Sequence, residues 1–241
     1  LDIRWYSMAY LLGFILGIFY IKFLNSKHKL DLSNDLINDF FFYTILGVIL
    51  GGRIGYILLY NPAYYFYNPI EIIKVWNGGM AFHGGLIGVI ISTLLFSLKN
   101  KSSFFIFSDL LACAAPIGIF FGRIANFING ELVGRITDKK IGIVFSHVDN
   151  APRHPSQIYE AILEGLLLFF ILLFYQDREK FVNRSGLISS LFLIFYSSFR
   201  FISEYFREPD MHLGLQIFNL SLGQIYSIFF LFIGIIIFLK K

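Results

Sequence analysis

Seven runs of about twenty mostly apolar residues take up most of this chain, at residues 5–24, 40–60, 80–98, 106–128, 157–175, 186–206 and 220–239. A helix rises 1.5 Å per residue, so about 20 residues cross the roughly 30 Å hydrocarbon layer of a bilayer. Seven such runs predict an all-α, polytopic membrane protein of about seven transmembrane helices, one domain over residues 1–241. Only 15% of the residues are charged, against about 25% in soluble domains, and 56% are hydrophobic. Apolar side chains in that excess are what lipid-facing helices need.

The loops between the runs set an orientation. The first connector, KFLNSKHK, holds three lysines, the second only Lys74, and the third Lys99 and Lys101. The fourth, 130–156, is longer and mixed. The fifth, DREKFVNR, has three basic residues, the sixth has Arg207, and the tail ends in Lys240 and Lys241. Short basic loops favour the cytoplasm. Loops one, three, five and the C-terminus are therefore expected inside, the N-terminus outside, and a short periplasmic loop region near 130–156. The first run is too long for a cleaved signal peptide, and its lysines follow the apolar stretch rather than precede it. Leu1 stands where a Met is expected, which points to a truncated N-terminus. A net charge of +4 is too small to argue for nucleic acid. One cysteine, Cys113, excludes an internal disulfide and a cysteine-based metal site, and reads as a small core residue.

Against this background several charges fall in or beside the apolar runs: Arg53, Asp109, Arg123, Glu160, Glu164, Arg200 and Glu204. An Arg or Asp at a helix centre costs roughly 2.5–3.5 kcal/mol on insertion scales, so such groups face the bundle interior or a wet cavity. The bland alternative is that they only pair to hold helices together. Tyr196, Arg200, Glu204 and Arg207 recur at helical spacing and make a polar stripe on the sixth run. Glu160 and Glu164, one turn apart, repel unless a cation lies between them or one is protonated. An arginine from another run is the economical answer, and the sequence leaves open which one. Gly47, Gly51 and Gly55, and likewise Gly118 and Gly122, have the four-residue spacing that lets helix backbones approach closely.

Two stretches carry chemistry. In GGMAFHGGLIG (78–88), His83 stands among five glycines, which leave room around the ring and expose backbone N–H groups. An isolated histidine is usually a satisfied core residue; here a catalytic or binding role has equal standing. His28, His147, His154 and His212 show no metal-ligand spacing with it. In GRIANFINGELVGR (122–135), Arg123 and Asn126 share a helical face, and Asn129, Gly130, Glu131 and Gly134 then end the helix. A planar guanidinium matches phosphate oxygens, Asn adds orientable donors, and Gly allows close backbone approach. This is a cluster suited to a lipid phosphate.

These two stretches, together with RHPSQIYEAILEG (153–165) and FRFISEYFREPD (199–210), appear in that order and closely resemble the bacterial phosphatidylglycerol–prolipoprotein diacylglyceryl transferases. WYSMAY (5–10) and GGRIGYILLY (51–60) match as well, so the resemblance covers nearly the whole chain. It implies an enzyme of the bacterial cytoplasmic (inner) membrane that moves a diacylglyceryl group from phosphatidylglycerol to the lipobox cysteine of a prolipoprotein. The products would be a thioether and glycerol 1-phosphate, in the first step of lipoprotein maturation. The implied partners are phosphatidylglycerol, the prolipoprotein signal peptide and membrane lipids, with no nucleic acid. On the resemblance Arg123 binds the phosphate, with Asn126, Glu131 and Gly134 shaping that site. His83 lies in the essential His-Gly-Gly motif, Arg200 and Glu204 match the functional pair of the sixth run, and Tyr6 matches the N-terminal tyrosine; Tyr196, on the Arg200 stripe, is grouped with the substrate-binding residues. Arg4 stands where some members have His, and the loop between Glu131 and His154 is short.

The chemistry that follows has His83 as the base that takes the thiol proton, since a free thiol with a pKa near 8.5 is mostly protonated at neutral pH. Arg123 and Arg200 would neutralise the departing phosphate, and Glu204 would hold Arg200. No metal or cofactor is expected. A transporter would instead show inverted repeats and interrupted helices in two halves, and neither is visible in the sequence; a scaffold would need no histidine among glycines.

Overall fold

The computed structural model describes residues 5–60, 62–209 and 219–241. Arg4, Asp210 and His212, named above, lie outside the described residues. The chain divides into two compact units, Asp31–Ser108 and Leu1–Leu30 with Asp109–Lys241.

In the unit 31–108, helix α2 spans Asn34–Tyr60, after α1 (Trp5–His28) of the other unit. Ser33 starts α2 by accepting the Leu36 N–H at 3.1 Å. A short helix α3 (Pro62–Tyr67) and two single 3₁₀ turns lead into α4, Phe82–Lys99. The glycines of α2 provide the close packing their spacing predicts. A Cβ on Gly55 would lie 2.6 Å from Gly84 Cα, and one on Gly51 would lie 2.7 Å from Gly88 Cα. At the far end, Phe40, Phe96 and Phe107 pack with ring centroids 4.6–5.3 Å apart and are almost fully buried.

Helix α5 spans Phe104–Asn129 and runs past Pro116 without a break. Gly130, at φ 68°, ends it in the left-handed conformation open to glycine. Against α1 it makes one backbone-close contact, since a Cβ on Gly13 would lie 3.0 Å from Gly118 Cα. The Gly118/Gly122 spacing does less than expected: a Cβ at Gly122 would meet no heavy atom within 4 Å. Between α5 and the next helix lies a small antiparallel hairpin, β1 (Ile143–Val144) with β2 (Pro152–Arg153). Helix α6 then runs from Ser156 to Tyr175, with a π-helical stretch at Ala161–Leu167. Gly165 lies in that stretch, and a Cβ there would meet Phe120 Cβ at 2.7 Å, so α6 and α5 pack backbone to side-chain base at this level.

After α7 (Arg178–Val182), helix α8 spans Leu187–Ser203 and α9 spans Leu222–Leu239. Asp109, one of the charges within the apolar runs, caps α8 across the unit. It accepts Gly186 N–H at 2.6 Å, Ser189 N–H at 2.7 Å and Ser189 O–H at 2.6 Å. Ser221 and Gln224 form a reciprocal capping box at the start of α9. Among the described residues five helices, α1, α2, α5, α6 and α9, are long and apolar enough to cross a membrane. Two more, His83–Lys99 and Leu187–Ser203, are apolar but shorter. At 1.5 Å per residue each reaches about 26 Å. The sixth run was expected to continue to residue 206; the helix stops at Ser203, and residues 204–206 form a turn that carries the chain to Arg207.

Candidate functional site

The glutamate pair of α6 finds two arginines. Glu160 and Glu164 have 0% side-chain exposure, a large desolvation cost for two charges unless each is paired. Arg123, in the last turns of α5, reaches both. Its Nη1 lies 3.0 Å from Glu160 Oε2 and its Nη2 lies 3.1 Å from Glu164 Oε2. Arg200 of α8 reaches the same two residues from another helix: Nη1 lies 2.5 Å from Glu160 Oε1 and 3.5 Å from Glu164 Oε1. Each carboxylate thus bridges two guanidinium groups, one oxygen to each. Two arginines answer the repulsion where one was the simplest expectation.

The cluster extends along α8. Arg200 Nη2 lies 2.5 Å from Glu204 Oε2, Arg207 Nη1 lies 3.8 Å from Glu160 Oε1, and Ser203 donates to Glu164 Oε1 at 3.1 Å. Three arginines therefore face three glutamates. Glu204 also accepts the Ser221 hydroxyl at 3.0 Å at the start of α9. A Cβ on Gly223 would lie 2.8 Å from Glu204 Oε1, so glycine leaves the space this carboxylate occupies. The partial positive charge of that helix start adds to the field holding the carboxylate.

The loop after α5 folds beside this cluster. Asn126 is buried and donates to Glu131 Oε2 at 3.3 Å, and Gln157 donates to the Glu131 carbonyl at 2.6 Å. Ser156 donates to the Leu132 carbonyl at 3.0 Å. Gly134 sits where three backbone stretches meet: its N–H donates to the His154 carbonyl at 3.1 Å, it bridges to Arg207, and its carbonyl accepts Arg153 Nη1 at 3.0 Å. A Cβ there would lie 2.7 Å from the Phe206 carbonyl. Arg153 is itself held by Asp149 and Glu208, at 2.6 and 3.2 Å. Hydrogen bonding from Arg153 keeps the Asp149 carboxyl below the usual aspartate range.

Among the residues singled out in the sequence, the structure thus gathers Arg123, Arg200 and Glu204 into one network, with Asn126, Glu131 and Gly134 in the loop next to it. Tyr196 lies one turn before Arg200 on α8, stacked on Phe192 at 5.5 Å. Tyr6 is exposed on α1, its ring 5.3 Å from that of Tyr10. His83 stands in the first turn of α4 in the unit 31–108 and is half-buried. Glu160, Glu164 and Arg207 join the network; the glutamate pair was expected to meet an arginine, but none of the three was named as a site residue. Their signal was the i, i+4 spacing of like charges and the end of the polar stripe.

Comparison with known proteins gives the same direction throughout. The description "Prolipoprotein diacylglyceryl transferase" belongs to a family model matching residues 1–240. A protein of Rickettsia felis named phosphatidylglycerol–prolipoprotein diacylglyceryl transferase is 49% identical over 97% of this chain and 90% of its own length. Proteins of the same name from Rickettsia typhi and Rickettsia bellii are 51% and 49% identical, over 97% and 100% of this chain and 90% and 91% of their own lengths.

Proposed function

This chain belongs to the prolipoprotein diacylglyceryl transferase family, and on that premise we propose that its Arg123–Arg200 cluster holds the phosphate of phosphatidylglycerol while a prolipoprotein thiol takes the diacylglyceryl group. The protein is a multi-pass membrane transferase of the first step in lipoprotein maturation. We read it as crossing the bacterial inner membrane seven times, N-terminus out and C-terminus in, with 130–156 outside and the whole chain serving one activity. The acceptor we assign is the lipobox cysteine of the prolipoprotein signal peptide.

One observation carries the reading: two arginines from different apolar helices are locked together through two buried glutamates. Arginine has five N–H donors; Arg123 hydrogen-bonds Glu164 through Nη2, and its Nη1 pairs with Glu160 at 3.0 Å. The remaining donors are the ones we assign to phosphate. Because the glutamates balance the arginines in number, the site binds a singly charged phosphodiester without a large excess field. Charge then grows on the phosphate as the reaction proceeds, and donors already in place stabilise that later state more than the starting one.

The bonds balance as follows. The thiol loses its proton to His83, sulfur bonds to the glycerol carbon next to the phosphate, and the carbon–oxygen bond to phosphate breaks. The electron pair leaves with that oxygen as glycerol 1-phosphate, and the acceptor keeps a thioether. Glu204 keeps Arg200 pointed at the leaving group; Asn126 and Glu131 shape the headgroup side, Gly134 keeps the loop closed beside it, and Tyr6 and Tyr196 contact the lipid.

The test is transfer of labelled diacylglyceryl from phosphatidylglycerol to a synthetic lipobox peptide by the purified protein. Thioether and glycerol 1-phosphate should appear in equal amounts. Equal labelling of a peptide with serine in place of the cysteine, or free diacylglycerol as the main product, would refute the thiol-transfer reading.

A further inference from the structure

A buried charge with no part in the site described above stands in the unit 31–108. Arg53 of α2 is only 4% exposed. Its guanidinium donates to five main-chain carbonyls: Nε to Ile72 at 2.9 Å, Nη1 to Gly78 at 2.5 Å and Gly79 at 3.3 Å, and Nη2 to Lys74 at 3.3 Å and to Glu71. The number of acceptors equals the five donors of a guanidinium, and their arrangement fits its planar fork. The Tyr65 ring lies 5.1 Å from the guanidinium carbon and closes one face.

All five carbonyls belong to the stretch 71–79, which enters α4 just before His83. Gly78 and Gly79, at φ 84° and 79°, are in the left-handed region, so this is a segment that local preference alone does not hold straight. The Ala81 N–H donates to the Gly52 carbonyl at 2.9 Å. Beyond His83, Gly84 and Gly88 sit directly on Gly55 and Gly51. One stretch of α2, Gly51–Gly55, therefore fixes the backbone on both sides of the histidine: by Arg53 and Gly52 before it and by bare glycine contacts after it.

We propose that Arg53 is a positioning residue for His83: by gathering the carbonyls of 71–79 it sets where α4 begins and so where the imidazole stands for proton transfer. This rests on the reading of His83 as the base. A lysine at this position carries the same charge with three donors and no planar fork, so it cannot hold five carbonyls.

The test uses full-length Arg53→Lys and Arg53→Ala, alone and combined with His83→Gln. Arg53→Lys should lower kcat about 10²-fold, the order expected when a reacting group is displaced by about 1 Å, with little change in KM for phosphatidylglycerol. Amide hydrogen exchange should quicken across 78–85 and stay unchanged in 156–175. Guanidinium ion added to Arg53→Ala should restore part of the lost rate. In the His83→Gln background Arg53→Lys should cost nothing further. Multiplicative losses in the double variant, or unchanged exchange at 78–85 in Arg53→Lys, would overturn the proposal. Wild-type turnover by His83→Gln would remove the base assignment by itself, and the exchange result would still decide whether Arg53 orders this stretch.

Discussion

Replacing Arg123 separates a phosphate-binding arginine from one that only pairs helices. The wild-type fork pairs with two carboxylates one helical turn apart, at 3.0 and 3.1 Å, and leaves at least three of its five N–H groups for other partners. The Lys Nζ in Arg123→Lys has three donors on one atom. If it satisfies both glutamates, one donor remains where arginine has at least three. Losing a preorganised donor to developing charge costs about 10²–10³ in rate, or about 2.7–4 kcal/mol. Arg123→Lys should therefore lose at least about 10² in kcat while folding nearly as well, because the cluster still has three positive charges against three negative. Arg123→Ala leaves two arginines for three glutamates, two of them with 0% side-chain exposure. Removing one partner of a buried pair costs about 3–5 kcal/mol, so this variant should lose thermal stability as well as rate. The assay is purification of both in detergent, melting curves, phosphatidylglycerol binding, and initial transfer rates at saturating peptide. Wild-type binding and turnover by Arg123→Lys would refute the argument, since a purely structural ion pair tolerates lysine.

Asp109 gives a stability prediction without a rate effect: Asp109→Asn aims an amide N–H₂ at donors it cannot accept from, and should cost about 1–3 kcal/mol with transfer per folded molecule unchanged; an unaltered melting curve would exclude the capping role. In the β1–β2 hairpin, the Asp149 carboxyl is depressed by Arg153, so its contribution is present above the ordinary aspartate pKa of about 3.9 and is lost only as pH falls through the lower folded value. Limited proteolysis within 138–151 should thus stay constant from pH 8 to about pH 4 in the wild type, and quicken at all these pH values in Asp149→Asn; a step in wild-type cleavage between pH 7 and 5 would contradict this sign. For orientation, an impermeant thiol reagent applied outside should label Lys139→Cys and spare Lys27→Cys, and the reverse pattern would invert the topology.

The apolar helices and the polar residues inside them were legible because both depend on local chemistry. A stretch of lipid-compatible side chains must satisfy its own backbone hydrogen bonds, so it becomes a helix whatever surrounds it. The need of Glu160 and Glu164 for a cation was also legible, because spacing along one helix determines how close like charges come. What spacing does not hold is the identity of the partner. In sequence Arg53, Arg123 and Arg200 are three arginines in apolar runs, and position alone does not show which groups each will meet. Folded, Arg53 is enclosed by five carbonyls of one loop, while Arg123 and Arg200 share two carboxylates from a third helix. Asp109 likewise reads as a charge in a span, and becomes the cap of a helix that begins 78 residues later. The close contact of Gly165 with Phe120 and the π-helical turn around it, which set the level at which Glu164 meets Arg123, depend on how two helices pack. The cost of burying a charge is local, so the sequence shows where it falls; the groups that offset it come from distant segments, and only the tertiary structure selects them.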